Sequence, residues 1–125
     1  MTRWDVVIWA LAIQKEKLGQ DHWKTANTLL SIANVLGSQG KYEEAMEKYQ
    51  QVMPIYMKEY GSESVDVAML LNNIAATLHN QGKYEDAMEK YHLSLAIKEK
   101  VLGSNHAETI NTRNNIEILK TEMQT

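Results

Sequence analysis

GKYEEAMEKY at residues 40–49 returns as GKYEDAMEKY at residues 82–91, with nine of ten positions identical and a spacing of 42 residues. The correspondence extends well beyond this decapeptide. Residues 19–60 and 61–102 match at 18 of 42 positions, and Gly19, Gly61 and Gly103 fall in register, each behind Leu18, Tyr60 or Leu102. A shift of 84 sets LAIQKEKLG (11–19) beside LAIKEKVLG (95–103), and NNI at 72–74 realigns with NNI at 114–116. A period near 40 marks a chain of stacked structural units, a solenoid or array.

Within each period the apolar spacing is helical. Leu29, Ile32, Ala33 and Leu36 step by three, one and three, as do Leu71, Ile74, Ala75 and Leu78. A second run carries Tyr42, Ala45, Met46, Tyr49, Val52, Met53 and Ile55. SQGKY and NQGKY between the runs supply a glycine that closes the first helix through positive φ. Gly61 and Gly103 close the second helix, and the loops GSES and GSNH bring side chains to cap the next one. Each period therefore reads as two antiparallel helices. First helices are expected at about 23–38, 64–80 and 106–123, and second helices at about 41–59 and 83–101. Residues 3–18 read as an orphan second helix, giving six helices in all. Pro54 stands inside a second helix where Ala12 and Ala96 hold the equivalent positions, so a kinked but continuous helix is expected there.

The pattern Leu71, Ile74, Ala75, Leu78, Gly82, Tyr84, Ala87, Tyr91 resembles a tetratricopeptide repeat (TPR), and Leu29 to Tyr49 matches it equally. The 42-residue period, the LNNIA opening and the LAIKEKVLG close are similar to the long-helix repeats of kinesin light chains and related scaffold proteins. Val52 and Ser94 depart from this pattern, standing where it usually has alanine. The resemblance implies an all-α, right-handed α-solenoid of antiparallel helix pairs. Its parts are an orphan second helix (1–19), repeat 1 (20–61), repeat 2 (62–103) and the first helix of a partial third repeat acting as a C-terminal cap (104–125).

Chemistry is sparse. Net charge is −3 with the two signs interspersed, so no basic block points to nucleic acid. Without cysteine there are no disulfides, thiolate metal sites or thiol nucleophiles. His22, His79, His92 and His106 show no three- or four-residue pairing. His22 and His106 align with Ser64 just before first helices and read as caps or first-turn residues. GSQGK lacks the spacing and hydroxyl of a phosphate loop, and Glu43, Glu44 and Glu47 with Lys41 and Lys48 form a solvated face. The apolar run 6–13 is too short to span a bilayer, and QKEK follows it where a signal peptide has a small-residue cleavage site. A cytoplasmic, non-enzymatic chain with no cofactor, no metal and no membrane or nucleic-acid partner is expected.

The function implied by the resemblance is protein binding in the groove lined by first helices. The matching positions are Asn27, Leu30, Ser31 and Asn34; then Met69, Asn72, Asn73, Ala76 and Asn80; then Asn111, Asn114, Asn115 and Ile118. Eight of the nine asparagines lie on these helices, although asparagine costs a helix roughly half a kcal/mol relative to alanine. A carboxamide offers donors and an acceptor to an extended peptide backbone. The lysines and arginines with which some tetratricopeptide domains grip a chaperone's C-terminal carboxylate are replaced by Leu30, Asn34, Asn73, Asn114 and Ile118. The expected activity is a scaffold for a protein or peptide ligand. The alternatives are a sensor or regulatory segment of a larger signalling protein, and a self-associating structural module. A second surface is expected on the orphan helix, where Trp4, Ile8 and Trp9 would pack against another chain, giving a homodimer, or against an upstream segment.

Overall fold

The computed structural model describes residues 3–18 and 23–125, with side chains placed for 3–10 and 24–125. The described residues form six α-helices: α1 (Arg3–Leu18), α2 (Trp23–Ser38), α3 (Tyr42–Tyr60), α4 (Val65–Asn80), α5 (Tyr84–Leu102) and α6 (Ala107–Met123). No strand occurs among the described residues. The helices fall where the apolar periodicity puts them, with α3 and α5 each shifted by about one residue. They group into two compact units, Met1–Glu59 and Tyr60–Thr125.

In the second unit, α5 lies between α4 and α6. Its buried residues Ala87, Tyr91, Ser94 and Lys98 step by four, three and four, so one stripe serves both neighbours. Val67, Leu70, Leu71, Ile74, Ala75 and Leu78 of α4 and Ile116 and Leu119 of α6 complete the core. Each such leucine or isoleucine contributes about 1.5–3 kcal/mol on burial. Ala75 and Ala87 are fully buried. They lie seven residues, two turns, along each antiparallel helix from Ala68 and Ser94, whose contact is a 2.6 Å hydrogen bond from Ser94 Oγ to the Ala68 carbonyl. That polar bond is what allows serine at a position otherwise suited to alanine; Val52 fills the same place in the first unit.

The turn after α4 shows why the glycine recurs. Gly82 has φ +80°, the Lys83 N–H donates to the Leu78 carbonyl at 2.9 Å, and the Gly82 N–H donates to His79 at 3.0 Å. This reversal satisfies two orphan carbonyls and requires a left-handed residue. Gly40 repeats it with the same φ, and Lys41 reaches back to Leu36. Ser64 caps α4 by accepting from the Val67 N–H, and His106 caps α6 by accepting from the Glu108 N–H through Nδ1. His22 and Gly19, assigned equivalent roles, lie outside the described residues.

The first unit packs α2 against α1 and α3. Ala26, Leu29, Ile32, Ala33 and Leu36 of α2 and Ala45, Tyr49, Val52, Ile55 and Tyr56 of α3 are buried. α3 runs unbroken through Pro54, which lies on its exposed side. Proline has no N–H to give the Gln50 carbonyl, so one bond of the helical ladder is missing there.

Candidate functional site

The asparagines divide into two groups by what their carboxamides touch. On α2, Asn34 Oδ1 accepts from the Tyr49 hydroxyl at 2.7 Å, and Asn27 Oδ1 accepts from the Tyr56 hydroxyl. Both bonds tie α2 to α3, so these two residues spend their oxygens on the hairpin. Leu30 is half-buried, and Ser31 is exposed with its hydroxyl donating back to the Asn27 carbonyl.

The second unit is different because its sequence diverges at these positions. Met69 and Ala76 replace the two tyrosine-bound asparagines, while Asn72 and Asn73 replace Leu30 and Ser31. Lys98 stands where α3 has Tyr56, and Met69, in the place of Asn27, offers it no side-chain oxygen. It turns instead to α6: its Nζ donates to Thr112 Oγ1 at 2.8 Å and lies 3.5 Å from Glu108 Oε2. Lys98 is only 2% exposed. Burial lowers its pKa below the ordinary lysine value, and the Glu108 carboxylate opposes that shift.

This lysine sets the orientation of Asn72. An ammonium only donates, so the Thr112 oxygen accepts from Lys98 and directs its own proton elsewhere. That proton goes to Asn72 Oδ1 at 3.3 Å. The acceptor there must be the carboxamide oxygen, so the Asn72 Nδ2–H groups point away from Thr112. A second tie between α4 and α6 joins His79 Nε2 to Glu122 Oε2, with the His79 ring edge-on to Tyr84. Burial, and with it the Glu122 carboxylate, raises the pKa of the Tyr91 hydroxyl.

The other residues expected on this face differ in exposure. Asn73, Asn115 and Ala76 are half-buried; Asn80, Asn111 and Asn114 are exposed. Met69 and Ile118 are exposed apolar residues. The cations on α6 are engaged: Arg113 donates to the Ser104 carbonyl at 3.2 Å and lies 3.8 Å from Glu99, and Lys120 pairs with Glu117 at 3.3 Å. The first-helix positions of this unit thus carry exposed or half-buried carboxamides together with the exposed apolar side chains of Met69 and Ile118. Among the described residues, no group of three His, Cys, Asp or Glu side chains is placed to hold a metal ion. None of their helices is long and apolar enough to cross a membrane.

Sequence reasoning missed the Lys98–Thr112–Asn72 chain. Its signal was present in the repeat alignment, where Lys98 shares a column with Tyr56, a member of the buried stripe of α3.

Two family profiles, both described as Tetratricopeptide repeat, match the chain at residues 10–58 and 67–108. The chain belongs to the tetratricopeptide-repeat family. Its fold is similar to that of BtubC (BKLC) from P. vanneervenii, with a TM-score of 0.82 and 22% identity over 95% of this chain and 47% of that one. It is equally similar to a putative kinesin light chain with nearly identical TPR-like repeats from Podosopora anserina, with a TM-score of 0.83 and 22% identity over 93% of this chain and 55% of that one. The chain spans about half the length of each of these structures. No curated protein matches its sequence. The architecture is therefore a TPR solenoid of the form seen in kinesin light chain-like structures. Repeats of this family serve protein interaction and are generally non-catalytic.

Proposed function

We propose that this chain is an interaction scaffold that holds an extended, neutral segment of a protein partner against the carboxamide strip of α4 and α6. The observation that carries this reading is the orientation of Asn72. Its oxygen is held by Thr112, which leaves its N–H donors for a peptide carbonyl. Asn73 and Asn114 extend the pattern on either side, and Met69 and Ile118 suit apolar ligand side chains. The absence of lysine and arginine at Leu30, Asn34, Asn73, Asn114 and Ile118 disfavours a C-terminal carboxylate as the anchor. Asn27 and Asn34 take a supporting part, since their oxygens bind α3. Binding is by shape and hydrogen bonding, with no bond made or broken, and a cytoplasmic setting accords with it.

A second reading is a sensor or regulatory segment within a larger signalling protein. Both readings use the same strip. A peptide-library pull-down with wild-type protein and the triple variant Asn72→Ala, Asn73→Ala, Asn114→Ala tests it. The variant is expected to lose most captured peptides while retaining its helical circular dichroism. Identical ligand sets from the two proteins would reject the strip as the site.

A further inference from the structure

Both units hold their carboxamides by the oxygen. In the first unit the Tyr49 hydroxyl donates to Asn34 Oδ1 at 2.7 Å, and the Tyr56 hydroxyl donates to Asn27 Oδ1. In the second unit the Thr112 hydroxyl donates to Asn72 Oδ1 at 3.3 Å. Tyr49, Tyr56 and Thr112 are buried, whereas Asn27 and Asn34 are exposed and Asn72 is half-buried. Each carboxamide therefore keeps its oxygen for the interior and leaves both Nδ2–H groups for a ligand. Among the described residues no asparagine is held by its nitrogen.

This polarity is not inherited from the repeat. Asn27 and Asn34 give way to Met69 and Ala76 in the second unit, while Asn72 and Asn73 take the places of Leu30 and Ser31. The inner donor changes as well, from a tyrosine of the second helix to a threonine of α6 that Lys98 forces to donate. The two units share the outward donors without sharing the residues that make them.

We propose that this face selects a segment rich in carbonyls and poor in N–H groups, a proline-rich stretch in the polyproline II form. The proposal rests on the carboxamide strip of α4 and α6 being the binding surface. A peptide N–H brought against Asn72 meets a donor, and loses its water without gaining an acceptor. An ordinary extended segment carries one N–H for every carbonyl, whereas proline keeps the carbonyl and has no N–H. The polyproline II backbone makes no internal hydrogen bonds, so all of its carbonyls are free to accept. It is also formed before binding, so little conformational freedom is lost on docking. That advantage counts on a surface where Arg113 and Lys120 are already paired and supply no free charge. Met69, Asn72, Asn73 and Ala76 follow one another on α4 by three, one and three, so apolar side chains flank the two carboxamides and suit pyrrolidine rings. None of these four is aromatic, so recognition rests on the carbonyls and not on ring stacking.

Fluorescence anisotropy with two pools of labelled, uncharged nonapeptides tests this. One pool has proline at every third position, and the other has alanine in its place. Wild type is expected to bind the proline pool about tenfold or more tightly than the alanine pool. Lys98→Met removes the donor to Thr112, so the threonine oxygen becomes free to accept from Asn72 Nδ2 and the carboxamide can turn its oxygen outward. The preference of this variant is expected to fall to about threefold or less, with its helical circular dichroism retained. Equal binding of the two pools, tighter binding of the alanine pool, or binding of neither would overturn the proposal. So would an undiminished preference in Lys98→Met. The triple variant Asn72→Ala, Asn73→Ala, Asn114→Ala separates this proposal from the reading beneath it. A favoured alanine pool whose binding the triple variant loses would reject the proline preference and keep the strip. Proline-pool binding undiminished in the triple variant would reject the strip itself, and this proposal with it.

Discussion

Lys98 is the residue on which the second unit turns. Its ammonium is buried, bonded to Thr112 and near Glu108, and replacing it tests packing and charge separately. Lys98→Ala is expected to destabilise by about 2–4 kcal/mol, through a cavity and the loss of the Thr112 bond. Lys98→Met, which keeps the volume, is expected to cost about 1 kcal/mol or less; urea denaturation measures both. The pH dependence follows from the lowered pKa of Lys98. Between the folded value and the ordinary 10.5, the unfolded chain holds more protons, so the residue's contribution to stability rises with pH across that window and is flat below it. The raised pKa of Tyr91 acts in the opposite sense, its contribution falling once the unfolded phenol ionises above 10.0. Wild type minus Lys98→Met should therefore shift in favour of wild type as pH approaches 10.5. A flat difference would mean that Lys98 titrates alike in both states. None of this was legible from residue type alone, because Lys98 sits in the run IKEK and looks like surface.

At the scale of the helix, most of the fold was legible. Glycine, tyrosine and alanine recur at 40, 42, 45 and 82, 84, 87 because a reversing turn and a close helix approach each demand them. Gly82→Ala meets no neighbouring atom, so its expected cost of about 1–2 kcal/mol is wholly the price of a left-handed backbone. Pro54→Ala should act the other way, restoring a donor to Gln50 and raising stability by about 1–3 kcal/mol in thermal or urea unfolding. Failure to stabilise would mean that the helix already accommodates the proline without strain. What the pattern did not reveal was the use made of each asparagine. Asn27 and Asn34 resemble Asn72 in spacing, yet two tyrosine hydroxyls claim them, and only the partner on the facing helix distinguishes the cases.

For the molecule as a whole, the repeats supply a frame, and in the proposed reading the differences between repeats supply the function. Where the copies agree they pack; where they diverge, as at Leu30-Ser31 against Asn72-Asn73, a neutral hydrogen-bonding strip results. The strip is small and uncharged, so affinity is expected to be set by peptide shape and hydrogen bonding and to change little with salt. The most direct test follows the side-chain carboxamide resonances of the ¹⁵N-labelled protein during titration with a peptide captured from the library. The Nδ2–H signals of Asn72, Asn73 and Asn114 should shift in a saturable manner, while that of Asn105, in the loop before α6, should not. Saturable binding that leaves those three signals unmoved would contradict the account.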